Sequence, residues 1–213
     1  MPRRALILAG GWEGHEPDQA ARFAQAELLG DWQVTVTSEL SVLEPARLAG
    51  FELLLPIWTF GELTPEREAA LSEAVERGLG IVAWHGAASA FRGSRRYQHL
   101  LGGQFVAHPG GDQQRYSVRF AEGALSAGLP DLELSSEQYY LLTDPAVNVV
   151  ASTRIESSEL PWLRGVEVPV AWHRSWGLGR VFYCSLGHTV SVLRQPPVLE
   201  LLRRAVAWAA KQS

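Results

Sequence analysis

Gly80-Ile81-Val82-Ala83-Trp84-His85-Gly86-Ala87-Ala88-Ser89 is the stretch on which the reading of this chain turns. The apolar residues 81–84 make a buried strand, His85-Gly86 turns sharply, and a run of small residues then opens a helix. In a parallel α/β sheet, ligands bind at the carboxyl ends of the strands. A tight strand-to-helix turn at that edge also lifts one side chain clear of the sheet, as it does for the nucleophile of many hydrolases. The lifted residue here is His85, where a serine or cysteine often stands.

Upstream, strands and helices alternate. Residues 4–9 are a short apolar strand closed by Gly10-Gly11, and Asp18 caps a helix over 19–29. Residues 32–37, with Val34 and Val36, form a second strand. A short helix covers 43–48. A third strand, 51–57, runs into the loop Trp58-Thr59-Phe60-Gly61. Thr64 and Pro65 start a helix that ends at Arg77 before Gly78. This alternation predicts a doubly wound, mostly parallel sheet in a three-layer α/β sandwich. The second half reads differently. Residues 116–120, 147–153, 168–172 and 180–185 are strand-like, the last joined across the turn Gly177-Leu178-Gly179 as a hairpin, so an antiparallel addition is expected. Residues 92–111 carry Gly and basic residues without a clear element, and 135–142 are aromatic and suited to lining a site. An amphipathic helix over 193–211, interrupted by Pro196-Pro197, closes a single domain spanning 1–213.

Composition narrows the function. With 213 residues, 46% of them hydrophobic, the chain can bury a full core without staples. A net charge of -4 offers no basic footprint for nucleic acid. One cysteine, Cys184, excludes an internal disulfide and fits a reducing compartment. The apolar run after the basic start Met1-Pro2-Arg3-Arg4 is too short for a signal-peptide core or a membrane span, so a cytoplasmic protein is expected. The C-terminal helix and the Trp-rich hairpin are compatible with a homo-oligomer.

Three histidines share one context. His15, His85 and His188 each follow a strand-like run and sit beside glycine, positions that converge on one sheet edge. Histidine moves protons near neutral pH and binds metals. Glu137, in Ser136-Glu137-Gln138-Tyr139, is the carboxylate partner able to orient a histidine or complete a metal shell. His15, His85, His188 and Glu137 are therefore the catalytic candidates and, if a divalent ion such as zinc is bound, its ligands. His108, held extended by Pro109, is a further binding candidate. Trp12, Trp58 and Trp84 lie at strand carboxyl ends, where an aromatic face can stack on a sugar ring; the same position in the core is the plain alternative for Trp84. Cys184, inside an apolar strand, reads as a small buried hydrophobe, so thiolate glutaminase chemistry is not expected.

Taken together, these motifs resemble the ThuA-like (trehalose-utilisation) family. The resemblance rests on Gly14-His15, on Trp84-His85-Gly86-Ala87, and on Gly102-Gly103-Gln104-Phe105-Val106-Ala107-His108-Pro109. It rests also on Glu137 with Tyr139, on Pro169-Val170-Ala171-Trp172, on 177–183, and on Ser185-Leu186-Gly187-His188. It spans nearly the whole chain. It implies a flavodoxin-like sheet of the class I glutamine amidotransferase type, with histidine in place of the cysteine nucleophile and Tyr139 beside the site. It also implies a role in metabolism of trehalose or related disaccharides. Two departures stand out: Ser136 occupies the place of a usual Asp, and a second His-Pro ahead of that element is missing. The expected activity is a hydrolase or isomerase acting on a disaccharide or keto-sugar derivative by histidine acid/base chemistry, with a small carbohydrate as partner. The alternative is a non-enzymatic sugar-binding or regulatory subunit.

Overall fold

The computed structural model describes residues 3–210. Met1, Pro2 and Lys211, which fall in segments read above, lie outside the described residues. In chain order the elements are β1 (Arg4–Gly10), α1 (Pro17–Phe23), β2 (Gln33–Thr37), α2 (Pro45–Leu48), β3 (Leu53–Trp58), α3 (Pro65–Glu76) and β4 (Gly80–Trp84). Then follow α4 (Arg95–Leu101), β5 (Gly103–Ala107), β6 (Arg115–Phe120), β7 (Leu132–Ser135), β8 (Tyr140–Thr143), β9 (Asn148–Arg154), β10 (Glu167–Trp176), β11 (Gly179–Cys184), α5 (Val190–Leu193) and α6 (Pro196–Ala209).

Nine strands form one sheet in the order β2-β1-β3-β4-β11-β10-β9-β6-β7. The first five run parallel, and β10, β9, β6 and β7 extend them in antiparallel pairs. β5 and β8 pair separately as a small antiparallel ribbon. Period-two alternation divides the core between the two faces. Ala5, Ile7 and Ala9 of β1 pack with residues of α1 and α6. Leu6 and Leu8 pack on the other face with residues of α3 and α4. Helices thus cover both sides, and the expected three-layer α/β sandwich with its antiparallel addition is the observed fold. The chain winds out from β1 to β2 and then crosses back to β3. This places a switch point between β1 and β3, where the loops after the two strands diverge and leave a crevice.

Several local expectations change. The first helix starts at Pro17, not after a capping Asp18: Glu16 stands at its N-cap in the left-handed region, φ 50°, and Pro17 supplies the preset first turn. The small residues after His85 form a 3₁₀ turn, His85–Ser89, because the segment is too short and too Gly/Ala-rich to propagate an α-helix. The C-terminal helix splits at Pro196, which opens α6 and leaves α5 as a separate turn. Residues 92–111 and 135–142, without assigned elements in the sequence, hold α4, β5 and most of β8. The Gly177-Leu178 turn between β10 and β11 stands as expected. Among the described residues no helix is long and apolar enough to cross a membrane.

Candidate functional site

His85 is the pivot. It leaves β4 at φ 43°, a left-handed conformation uncommon for a residue with a Cβ. Tyr183 Oη donates to the His85 carbonyl at 2.9 Å and helps hold this turn. Such strain persists where surrounding structure over-determines it. The side chain is lifted off the sheet as anticipated, but not into solvent: it is 1% exposed, covered by the segment that carries Glu137 and Tyr139.

That covering segment is pinned by two neighbouring strands. Gln138 Nε2 donates to Thr153 Oγ1 at 2.9 Å and to the Arg154 carbonyl at 2.7 Å on β9. Tyr116 Oη on β6 donates to the Glu137 carbonyl at 3.0 Å. The antiparallel half of the sheet therefore delivers the carboxylate to a histidine from the parallel half. Glu16 ties the two remaining loops together, its Oε2 accepting the Val190 amide at 2.9 Å, so the neighbours of His15 and His188 are linked directly. Gly187, φ 118°, lets the chain pass Trp84: an added Cβ would come within 3.0 Å of Trp84 Cδ1.

The polar atoms of these side chains converge tightly. His85 Nε2 lies 3.0 Å from Glu137 Oε2 and 3.3 Å from His188 Nδ1, and His188 Nδ1 lies 3.4 Å from Glu137 Oε2. Tyr139 Oη is 2.9 Å from the same Nε2. The other nitrogen, Nδ1, is 2.8 Å from the Ser185 carbonyl. A carbonyl only accepts, so Nδ1 carries the proton and the neutral ring presents its Nε2 lone pair to the cluster. His15 stands edge-on, its ring centroid 4.5 Å from that of His85 and 5.4 Å from that of His188, with Nδ1 2.8 Å from Thr59 Oγ1. One ligand atom from each of His15, His85, Glu137 and His188 lies within 4.8 Å of all the others.

The electrostatics follow from burial and pairing. Burial, then the nearby His85, lowers His15 to a pKa of about 3. Burial also lowers His85 against the opposing pull of Glu137. The hydrogen bond to Glu137 raises His188 despite its partial burial. Burial would raise Glu137, but pairing with His188, and with His85 when that ring takes up a second proton on Nε2, outweighs it and holds the carboxyl well below its usual range. Burial keeps the Tyr139 hydroxyl protonated far above its usual range. The cluster thus holds one anion, two neutral histidines and a proton favoured on His188. It can accept a proton, donate one, or surround a cation.

The other candidates lie around this core. His108 is at the rim, Nε2 3.8 Å from Glu137 Oε1. Trp12 is 44% exposed and sits edge-on to His15 at 4.7 Å. Trp58 is half-buried, stacked on Phe91 at 6.1 Å and packed over Gly10. Trp84 is buried in the core. Ser136 is buried, with its amide donating to the Gln114 carbonyl at 3.0 Å. Cys184 is fully buried in β11, and burial pushes its thiol up to about 12. Thr59, Ser185 and Phe60 were not singled out in the sequence. Phe60 is 52% exposed beside Trp12 and holds φ 63°. Thr59 and Phe60 both stand in the loop after β3, a strand-end position that marks the loop without distinguishing either residue.

A doubly wound α/β domain with a histidine–glutamate cluster at its strand ends, and a histidine at the elbow, defines the class. The chain belongs to the ThuA, trehalose utilisation, family, whose model matches residues 4–209. A ThuA-like protein from Bacteroides uniformis is 21% identical, with a TM-score of 0.79 over 97% of this chain and 91% of that one. A second, from Parabacteroides merdae, is 17% identical, also with a TM-score of 0.79, over 100% and 93%. A cold-adapted β-galactosidase from Rahnella shares the fold at 14% identity and a TM-score of 0.65, over 98% of this chain but 31% of that enzyme. No curated protein matches the sequence. The family name places the chain in sugar metabolism related to trehalose utilisation.

Proposed function

We infer that the protein is an enzyme acting on a disaccharide or a keto-sugar derivative by histidine acid/base chemistry. The observation that carries this reading is the triangle of His85 Nε2, His188 Nδ1 and Glu137 Oε2, with edges of 3.0, 3.3 and 3.4 Å. A module that only binds sugar has no use for three titratable groups compressed to hydrogen-bond distance. A proton-transfer site requires that spacing. His85, with Nδ1 anchored on Ser185, presents a lone pair suited to accepting a proton next to a carbonyl. His188, protonated against Glu137, is the complementary donor. Trp12 offers an exposed face for a sugar ring beside His15, with His108 near Glu137 and Tyr139 against His85.

The same triangle suits a divalent ion such as zinc. Zinc–nitrogen bonds of about 2.0–2.1 Å in a tetrahedron separate ligand atoms by about 3.3 Å, which the three edges match. His85, His188 and Glu137 would hold the ion, which would polarise a substrate oxygen. The cytoplasm is the proposed compartment; related folds include proteins described as cytoplasmic in Salmonella typhimurium.

The test is turnover of trehalose and of keto-trehalose by purified protein, with and without added zinc, beside His85→Ala. Conversion by the native protein, abolished in the variant, supports the reading. No conversion of either sugar under any metal condition, together with unchanged sugar binding in His85→Ala, rejects it.

A further inference from the structure

His15 differs from its two neighbours in what anchors it. The histidine at the elbow meets a carbonyl, which dictates the proton on the anchored nitrogen. The anchor of His15 is the hydroxyl of Thr59, which can donate as well as accept. Thr59 is 2% exposed and follows β3 directly. Among the described residues its hydroxyl has one hydrogen-bond partner, His15 Nδ1 at 2.8 Å. An orphaned buried donor costs more than a lone pair left short of a partner, so the hydroxyl proton belongs on that contact. Thr59 then donates, Nδ1 accepts, and the neutral ring of His15 carries its own proton on Nε2.

The surrounding backbone is shaped for this contact. Gly86 has no side chain where one would strike Thr59 Oγ1 and come within 2.6 Å of His15 Nδ1. Gly11 likewise makes room for the Thr59 backbone. Gly86 thus leaves space for the side-chain pair and Gly11 for the backbone that carries Thr59, while Trp12 packs edge-on against the ring of His15.

We propose that Thr59 is a positioning residue that fixes the tautomer of His15, and that His15 is a neutral hydrogen-bond donor to a substrate oxygen rather than a metal ligand. A neutral imidazole N–H aimed at a carbonyl oxygen stabilises the negative charge that develops there when a neighbouring carbon loses a proton. The division of labour is then specific. His85, His188 and Glu137 form the triangle that moves protons or holds an ion. His15 stands beside it and presents an N–H, which a metal ligand has no room to carry. The donor role rests on the keto-sugar reading; the tautomer does not.

The deciding measurement is the set of two-bond proton–nitrogen correlations of the histidine rings in labelled protein, with and without one equivalent of zinc. His15 should show a protonated Nε2 and a bare Nδ1, unchanged by zinc. Thr59→Ser should preserve that state. Thr59→Val, which keeps the shape and removes the hydroxyl, should lose the single tautomer and slow keto-trehalose turnover by roughly 10- to 100-fold with little change in KM. A bare Nε2 on His15 in the native protein, free or zinc-bound, overturns the assignment, as does unaltered turnover in Thr59→Val. Should Thr59→Val not fold, the native and Thr59→Ser spectra decide. A protein that turns over no sugar yet shows the tautomer refutes the sugar reading alone.

Discussion

Glu137 holds the charge balance of the cluster. Its carboxylate is what raises His188 and opposes the burial that lowers His85. Glu137→Gln keeps the shape and removes the charge. We expect His188 to fall back toward its ordinary value, read by histidine proton shifts against pH, and turnover to drop by roughly 10²–10⁴, the usual contribution of a general acid or base. Unchanged titration of His188 would show that the ion pair is not formed in solution. His15 and His85 give the acid limb of stability. In the unfolded chain each takes up a proton near pH 6.5, whereas folded His15 resists down to about pH 3. The unfolded state therefore binds more protons in that window, and the stability these rings contribute is complete above 6.5 and lost as the pH falls. Glu137, depressed in the fold, adds to the loss at the acid end; His188, raised, acts oppositely, its contribution present below 6.5 and lost above its folded value. Melting temperature should fall progressively below pH 6.5, and His15→Gln should flatten that decline. A decline of equal steepness in the variant would place the acid sensitivity elsewhere.

Among the elements, the seam between α3 and α4 shows how helices are fastened beside the site. Ser94 Oγ accepts the Tyr97 amide at 3.1 Å as the N-cap of α4 and donates to Glu68 Oε1 of α3 at 2.6 Å. The same oxygen accepts the Arg96 amide at 2.9 Å. Ser94→Ala removes the cap and the bridge together and should cost about 1–2 kcal/mol in urea unfolding, with the site chemistry unaffected. A cost below a few tenths would mean that water replaces both bonds. Elements with strong periodicity were legible in the sequence: β1, β3, β4, α3 and the β10–β11 hairpin. So were His15, His85 and His188, because each stands at the end of such a strand, and Glu137 beside its aromatic run. The ribbon of β5 and β8 was not legible. Each strand is short and pairs with a partner distant in sequence, and no turn signal joins them. Nor was α4, whose start in Ser94-Arg95-Arg96 reads as a basic loop until Glu68 of a different helix supplies its partner. Thr59 was passed over for a related reason. A lone hydroxyl after a strand has no pattern, and its meaning comes only from the ring placed 2.8 Å away.

Across the whole molecule, the site lies where two differently built halves meet. The parallel strands and the loops after them contribute His15, Thr59, His85 and His188; the antiparallel extension and its connections contribute Glu137 and Tyr139. Neither half holds a complete site, and Glu137 bridges them through His85 and His188. A cation bound at the triangle would therefore bridge the halves as well, and its binding energy would appear as stability of the entire fold. One consequence is measurable without knowing the substrate. Zinc at a hundred times its dissociation constant should stabilise the native protein by about 2.7 kcal/mol, as a ligand that binds only the folded state must. In a domain of this size that is a rise in Tm of several degrees. His188→Ala and Glu137→Gln should each abolish most of the rise, while Thr59→Ser, outside the triangle, should keep it. A metal-free protein whose Tm does not move with zinc would remove the ion from the site. A rise that survives both triangle variants would place the ion elsewhere on the chain.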